Sequence, residues 1–452
     1  MPTFTPPDTI ALAALRPGDP SEKLAAAIGP RWRPPHPGEG GWVRYLERQF
    51  SFAARLDRDG RIGLLQFKGN FDPNAVIAGV GMRMERAAAE ALEPSLSIAQ
   101  NTVRGGDYAF GGRQLTKEIR LSVDVAYGKV SEINITNLAA VWPDWRELKI
   151  APPRLAFNVK VVPGLKAPGS QVPQGWACGL PRGITPIQWP LSIDTGFPLE
   201  HHFTVRVPEP YRLKGPDYVA LAVFSDTQTE SRSTPAMVDF MHATLDGRPL
   251  PEEVGPELAP FLEHLRNRHP METRTYDLLY NTFAFIWLTQ DEIDGPECLP
   301  PAPIETDANE KSDLPDYLKT SAAERLFGWN GKEAFNSEYY LHRLAGRRPE
   351  SRWDLLELRV TQVSNDPNAG KTPIEFDGRD NADRYVPRFD EAWEKLGLQL
   401  AYDDLQFGGT LMHGGGIYVS SPFFLAFHET MGQPNLAGQL AQLDLLTGIV
   451  DY

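Results

Sequence analysis

The sequence predicts an α+β fold in which strands outnumber helices. Two hairpin patterns, with turns at Asp59-Gly60 and Tyr127-Gly128, lie on either side of an Ala- and Glu-rich helix at Met82 to Leu92. Residues 154–240 are then dominated by strand patterns, separated by loops rich in Gly and Pro. No pattern of a parallel β-α-β unit, as found in α/β proteins, surrounds the helix. We therefore expect an α+β protein, in which a small N-terminal domain with the order strands, helix, strands (β-α-β) is followed by a β-rich domain.

The first 142 residues predict a small module behind a proline-rich lead-in. Residues 1–40 contain the run Arg-Pro-Pro-His-Pro-Gly at 33–38, which is typical of irregular or polyproline-like chain. A short helix is compatible with residues 20–28. Residues 41–142 follow the order strands, helix, strands. We therefore interpret 1–40 as a lead-in and 41–142 as one small binding-like domain.

Two further segments predict boundaries in the rest of the chain. Residues 141–153 carry two tryptophans and three prolines, as a linker often does. Residues 296–315 are rich in proline and then acidic. We expect two halves, 143–295 and 316–452, joined by 296–315. The clearest helix lies in the first half at Gly255 to His269, where apolar residues recur at i, i+3, i+4 and i+7.

The charge of the chain bears on its partners. The 45 Lys and Arg residues against 59 Asp and Glu residues give a net charge of −14. Because excess negative charge repels a phosphate backbone, nucleic acid is not an expected partner. The same charge suits a basic protein partner.

Cysteine usage and hydropathy predict a cytoplasmic protein. Cys178 and Cys298 are far apart and form no Cys-x-x-Cys pair, which argues against a disulfide framework and a structural zinc site. Residues 1–15 lack the basic and apolar regions of a signal peptide. No stretch approaches the roughly 20 apolar residues of a membrane helix, so no membrane span is expected.

The search for catalytic and cofactor motifs finds only fragments. Residues 365–372 end in Gly-Lys-Thr but have Asn365 where a phosphate loop needs glycine, and Pro373 follows directly, so a hairpin loop is predicted. His428-Glu429 lacks the second histidine of a zinc-protease helix. We therefore expect no metal and no cofactor, and the residues alone do not establish a reaction.

One series of motifs resembles a known family. Gly-Leu-Pro, Trp-Pro, Gly-x-Pro-Leu and a strand ending in Phe-x-Asp occur in order at Gly179 to Pro181, Trp189-Pro190, Gly196 to Leu199 and Val219 to Asp226. A second series lies at Leu326 to Asn330, Leu355 to Leu358 and Gly415 to Val419. Together they resemble the YwqG-like family, a bacterial domain of unknown function, over residues 145–452. The resemblance implies a β-rich domain built of two halves.

A local resemblance concerns the first domain. Residues 59–63, 71–73, 79–92 and 125–130 are similar to a small proteobacterial β-α-β module that often occurs in proteins near toxin and secretion loci. The pattern is also similar to small binding folds of the outer-membrane-assembly lipoprotein and lactamase-inhibitor type. Because no lipoprotein signal is present, this resemblance implies only the fold of the domain.

Three functional hypotheses follow. The first is a non-enzymatic protein-binding protein, most concretely a toxin-immunity-type inhibitor that binds a cognate basic effector. The second is an enzyme or small-ligand-binding protein, whose β-rich cleft would be lined by Trp189, His202, Trp329 and His413. The third is a secretion-associated adaptor that joins two partners.

Overall fold

The computed structural model divides the chain into two compact units, residues 2–150 and residues 151–452. The boundary lies within the segment 141–153 that the sequence predicts as a linker. The residues that the structure describes are 8–29, 32, 35, 42–47, 50–68, 71–72, 74–92, 97–100, 108–127, 129–140, 145–225, 234, 236–238, 240–241, 250–276, 282–309, 350–373, 385, 405–410, 421–428 and 440–451.

The described part of the first unit contains a main antiparallel sheet and three short α-helices. The bounds of its helices and strands are α1 Thr9–Ala14, α2 Ser21–Ile28, β1 Trp42–Glu47, β2 Phe50–Leu56, β3 Ile62–Lys68, β4 Val76–Ile77, β5 Val80–Gly81, α3 Arg86–Leu92, β6 Ser97–Gln100, β7 Tyr108–Gln114, β8 Ile119–Ala126 and β9 Lys129–Asn137. Among the described residues, the main sheet has the order β1-β2-β3-β9-β8-β7-β6. The predicted order of strands, helix, strands is present.

One face of this sheet is apolar and forms the core of the unit. On β8, Leu121, Val123 and Val125 are buried, whereas Arg120 and Asp124 are exposed. This alternation follows from the two-residue period of a strand. The turn of the first hairpin is held by Asp57, whose Oδ1 accepts N–H groups from Asp59 and Arg61.

The predicted lead-in differs from the structure. The short helix expected at 20–28 is present as α2, but α1 precedes it, and both helices pack into the core of the first unit. Leu12 and Leu24 are fully buried there. The Asp8 side chain caps α1 by accepting the N–H of Ala11. The predicted boundary was set at residue 40 because of the prolines at 33–38. In the structure, the apolar residues of both helices are packed in the core, so residues 9–28 belong to the first unit.

The second unit contains one large antiparallel sheet. The bounds of its helices and strands are β10 Ala156–Lys166, β11 Gly175–Cys178, β12 Glu200–Arg206, β13 Tyr218–Ser225, α4 Ala259–Asn267, β14 Glu272–Tyr276, β15 Thr282–Thr289, α5 Gln290–Ile293, β16 Leu355–Val363, β17 Leu405–Phe407, β18 Phe424–His428, β19 Leu440–Asp444 and β20 Val450–Asp451. In the described parts of the unit the strands follow the order β14-β15-β13-β12-β11-β16-β10-β17-β18-β19-β20. The predicted β-rich α+β class is confirmed.

The two predicted halves share this sheet. Strand β16, from the second half, pairs with both β10 and β11 from the first. The predicted linker 296–315 is also packed where it is described: Cys298 and Ala308 are buried, and the Asn309 side chain donates to the Thr195 carbonyl. Side chains that fill the core and a buried hydrogen bond anchor this proline-rich segment, so it belongs to the unit.

The helix predicted at 255–269 is confirmed as α4. Its buried side chains Phe261 and Leu265 pack against Leu191 and Ile193. These two residues follow Trp189 in the chain, so the packing of α4 fixes one of the loops that form the site described next.

Candidate functional site

A pocket in the second unit brings together residues from distant parts of the chain. It is small: a water-sized molecule has about 20 Å³ in which to move, which is room for roughly one ordered water. The pocket is lined by Gly179, Trp189, Glu200, His201, Pro300, Arg352 and Trp353.

The loop after β11 forms one wall and is tightly held. Cys178 and Gly179 both have positive φ, at 59° and 64°. A Cβ atom at Gly179 would lie 2.9 Å from the Cβ of Leu355, so only glycine fits without displacement. The left-handed conformation of Cys178 costs about 1–2 kcal/mol. Residues in such conformations persist where the surroundings over-determine them, and they cluster at functional sites.

Hydrogen bonds hold the carbonyl groups of this loop in place. The Leu180 oxygen accepts the indole N–H of Trp176 at 2.9 Å, and the Pro181 oxygen accepts the N–H of Cys298 at 2.9 Å. The Gly-Leu-Pro motif of the sequence is therefore a rigid wall of the pocket.

Trp189 forms a second fixed wall. Its side chain is 2% exposed. Its indole N–H donates to the Leu199 carbonyl at 2.7 Å, and its ring packs edge-on against Phe224. With the polar end of the indole satisfied inside the protein, the ring offers its apolar surface to the pocket.

His201 is a neutral positioning residue. Its Nδ1 lies 3.3 Å from the Gly179 carbonyl oxygen, which can only accept, so Nδ1 carries the proton and donates. Its Nε2 then accepts from the Thr204 hydroxyl at 2.9 Å. Burial, together with a smaller effect of the nearby His202, lowers the pKa of His201 to about 3, although the hydrogen bond to the Gly179 carbonyl acts in the opposite direction. A histidine with both nitrogens engaged and this pKa does not exchange protons at neutral pH.

Glu200 supplies a carboxylate to the pocket. It is the first residue of β12, and the residue is only 3% exposed. Arg352 also belongs to the lining; it is exposed, and its guanidinium carbon lies 4.5 Å from the ring centroid of Trp353. The pocket therefore combines a buried carboxylate with aromatic walls and has one cationic side chain in its lining.

The four residues predicted from the sequence have different outcomes. Trp189 lines the pocket, while Trp329 and His413 lie outside the described residues. His202 is not among the lining residues, and its Nε2 lies 2.7 Å from the Ser225 hydroxyl. Its neighbour His201 lines the pocket instead.

A local irregularity of β12 explains why His201 was missed. The register of β12 with β13 shifts between His201 and Phe203. Such a shift interrupts the alternation of a strand, so the face of His201 cannot be counted back from the later residues of β12. The sequence did contain one signal for this site, because Glu200 is a charged residue at the start of an apolar strand.

The described lining lacks several common nucleophiles. Its seven described residues include no Ser, Thr, Cys or Lys. Within the described ranges, no group of three or more His, Cys, Asp or Glu residues is placed to hold a metal ion. The described helices include none that is both long enough and apolar enough to span a bilayer.

The segment that ends in Gly-Lys-Thr is a packed loop, and the strand predicted after it, at 374–376, lies outside the described residues. The Asp366 carboxylate accepts N–H groups from Asn368 and Thr410 and the Thr410 hydroxyl. The N–H of Lys371 bonds to the Asn368 carbonyl. Backbone donors that a phosphate loop would direct at a ligand are thus used inside the protein.

Comparison with known proteins covers the first unit alone. Residues 7–144 match a family model described as a domain of unknown function, DUF7256. This stretch includes α1 and α2 and lies within the unit 2–150. No curated protein and no solved structure matches the chain. The resemblance of residues 145–452 to the YwqG-like family stays a prediction.

Proposed function

We propose that the protein is a non-enzymatic, protein-binding inhibitor of the toxin-immunity type, which binds a basic effector in the cytoplasm. The observation that carries this proposal is the uneven distribution of charge between the two units. Residues 1–150 hold 19 Lys and Arg against 17 Asp and Glu, a net charge of +2. Residues 151–452 hold 26 against 42, a net charge of −16. The unit that contains the pocket therefore carries the acidic character of the whole chain.

Charge of this kind supports fast binding of a basic protein. A surface potential of one sign raises association rates by about 10- to 1,000-fold for partners of opposite sign, and the effect falls steeply with salt. The near-neutral first unit lacks this property. We therefore propose that the second unit makes the first encounter with the effector.

One segment beside the pocket concentrates this charge. We call residues 291–307 the acidic segment: it has no Lys or Arg and carries Asp291, Glu292, Asp294, Glu297, Glu305 and Asp307. Four of the six are exposed, at positions 291, 294, 305 and 307. Pro300 of the same segment lines the pocket. An acidic surface thus adjoins the aromatic pocket.

Apolar residues near the pocket support a protein partner. Leu299 is 58% exposed and precedes Pro300, while Ile187 is 43% exposed and lies two residues before Trp189. Among the described residues, they are the exposed large apolar side chains of the second unit. Apolar surface within a charged surround is a common arrangement in protein interfaces.

The test compares two variants with equal changes of charge. The acidic-segment variant carries Asp294→Asn, Glu305→Gln and Asp307→Asn. The control variant carries Glu22→Gln, Asp59→Asn and Glu118→Gln, which are exposed acids of the first unit. Each variant loses three negative charges.

The tagged full chain is expected to capture the protein encoded beside it. Expression of the full chain should protect cells in which that neighbour is active. We expect the acidic-segment variant to capture and protect less well, while the control variant matches the wild type. Cells that survive the active neighbour without the chain, together with no captured neighbour, would contradict the proposal.

A further inference from the structure

We infer that residues 299–305 form a polyproline II segment that docks into an aromatic-lined groove of a protein partner. We call this stretch, which reads Leu-Pro-Pro-Ala-Pro-Ile-Glu, the proline ridge. The inference rests on the proposed function in one respect, that the effector supplies the groove. The conformation, exposure and charge of the ridge carry the rest.

The sequence restricts the backbone of the ridge to extended conformations. Positions 300, 301 and 303 are prolines, whose ring fixes φ at about −65°. Positions 299, 300 and 302 each precede a proline, which disfavours the helical region and favours polyproline II. Every residue from 299 to 303 is therefore a proline or precedes one. The structure agrees, since residues 298–305 belong to no helix, strand or turn.

Exposure repeats every three residues along the ridge. Leu299, Ala302 and Glu305 are exposed, whereas positions 300, 301, 303 and 304 are partly buried. A polyproline II helix has three residues per turn, so positions i, i+3 and i+6 lie on one edge. The burial pattern therefore places Leu299, Ala302 and Glu305 on one outward edge. Pro300 lies on another edge and lines the small pocket of the unit.

Both ends of the ridge are anchored. Before it, the N–H of Cys298 donates to a backbone carbonyl of the loop after β11, and the Glu297 carboxylate lies 3.2 Å from the Arg182 guanidinium. Near its end, the Asn309 side chain donates to the Ile304 carbonyl at 2.8 Å. A segment that is already held in its bound conformation loses little conformational entropy on binding, so these anchors favour affinity.

The backbone of the ridge also keeps acceptors for a partner. Within the described residues, no hydrogen bond involves the carbonyl groups of residues 300–303. Polyproline II has no internal hydrogen bonds, and domains that recognise it receive Pro-x-x-Pro segments in aromatic-lined grooves. Residues 300–303 have this spacing.

The flanks of the ridge define the charge of the groove. Glu305 ends the outward edge, and Asp307 is exposed two residues later. Residues 291–307 contain no Lys or Arg. An aromatic-lined groove with Lys or Arg at the end that meets Glu305 complements this surface. At the other end of the edge, Leu299 is 58% exposed and supplies an apolar anchor.

The experiment uses an SH3 domain, a WW domain and an EVH1 domain as probes, because their grooves bind polyproline II segments. Each probe is titrated by calorimetry with the full chain and with a synthetic peptide of residues 296–307. We expect at least one probe to bind the full chain with a Kd below about 1 mM. The same probe should bind the peptide more weakly, because the peptide lacks the anchors at both ends.

Matched variants of the full chain locate the binding. Leu299→Ala should weaken it by about tenfold, whereas Ile187→Ala, which shortens another exposed apolar side chain of the unit, should leave it unchanged. Pro303→Ala frees the unbound ridge and should weaken binding by about two- to fivefold, whereas Pro152→Ala, at an exposed proline outside the ridge, should not. All four positions are at least partly exposed, and thermal unfolding checks that each variant is folded.

Three results would overturn the inference: no probe binds the full chain, every probe that binds also binds the peptide at least as tightly, or Leu299→Ala binds as well as Ile187→Ala. The proposed function is judged separately, with the captured effector. An effector captured equally well by the wild type and by Leu299→Ala contradicts docking through the ridge and leaves the proposed function standing. Probe binding at the ridge by a chain that captures and neutralises no effector supports the ridge and contradicts the proposed function.

Discussion

Substitution of Gly179 by alanine tests whether the wall of the pocket is as tightly held as the structure indicates. Two costs apply to Gly179→Ala. The positive φ of 64° costs an alanine about 1 kcal/mol. The new Cβ would also lie 2.9 Å from the Cβ of Leu355, closer than ordinary contact, and overpacking of this kind costs about 1–3 kcal/mol.

Gly169 provides a matched control in the same unit. Its φ is 77°, but a Cβ atom there would meet nothing within 4 Å. Gly169→Ala should therefore carry only the conformational cost of about 1 kcal/mol. The difference between the two variants isolates the close contact with Leu355.

The assay is calorimetric unfolding of the full chain. At about 2.1 cal/mol/K per residue, a unit of roughly 300 residues loses about 1.6 °C of Tm for each kcal/mol. We expect Gly179→Ala to lower the Tm of this unit by about 2–5 °C more than Gly169→Ala does. Equal Tm shifts for the two variants would refute the proposed tight packing at the Gly-Leu-Pro loop.

Three further predictions concern the acid range, the buried loop and the first unit. The pKa of His201 is lowered to about 3 in the folded chain, so between about pH 3 and 6.5 the unfolded state binds a proton that the folded state does not. The free energy of unfolding therefore falls as the pH drops through this window. In His201→Gln, the dependence of this free energy on pH should be less steep, by an amount equal to the uptake of up to one proton. An unchanged pH dependence would contradict this. Asp366→Ala leaves the buried groups that donate to Asp366 without an acceptor, so it should lower the free energy of unfolding by about 3 kcal/mol in urea. Lys371→Ala should change that free energy by no more than about 1 kcal/mol. The reverse ranking of the two variants would contradict the structural role of the loop. A fragment of residues 2–150 should unfold cooperatively by circular dichroism, and a fragment of residues 30–150 should not, because it lacks the fully buried leucines of α1 and α2; equal melting of both fragments contradicts this packing.

Local signals predicted the elements that depend on neighbouring residues. The turns at Asp59-Gly60 and Tyr127-Gly128 fix hairpins within a few residues, and α4 is determined by its own apolar spacing and packing. Pairings between distant strands depend on contacts that no local pattern contains. The position of β16 between β11 and β10 is such a pairing, and it joins the two predicted halves.

The sequence predicted only part of the pocket, because the pocket also depends on contacts between distant parts of the chain. Trp189 was named because it belongs to the Trp-Pro motif of the series that resembles the YwqG-like family. His201 was missed because strand alternation fails at the register shift between His201 and Phe203. Arg352 and Trp353 reach the pocket through the same long-range pairing of β16.

The central claim is that the acidic second unit binds a basic effector. The most direct measurement is the association rate of the captured effector with the full chain, its acidic-segment variant and the control variant, at about 50 and 200 mM salt. We predict that the effector is basic and that its association with the full chain is at least tenfold slower at about 200 mM salt than at about 50 mM salt. At the lower salt concentration, the acidic-segment variant should associate more slowly than the wild type, whereas the control variant should not. An effector rate independent of salt, with both variants equal to the wild type, would contradict the account.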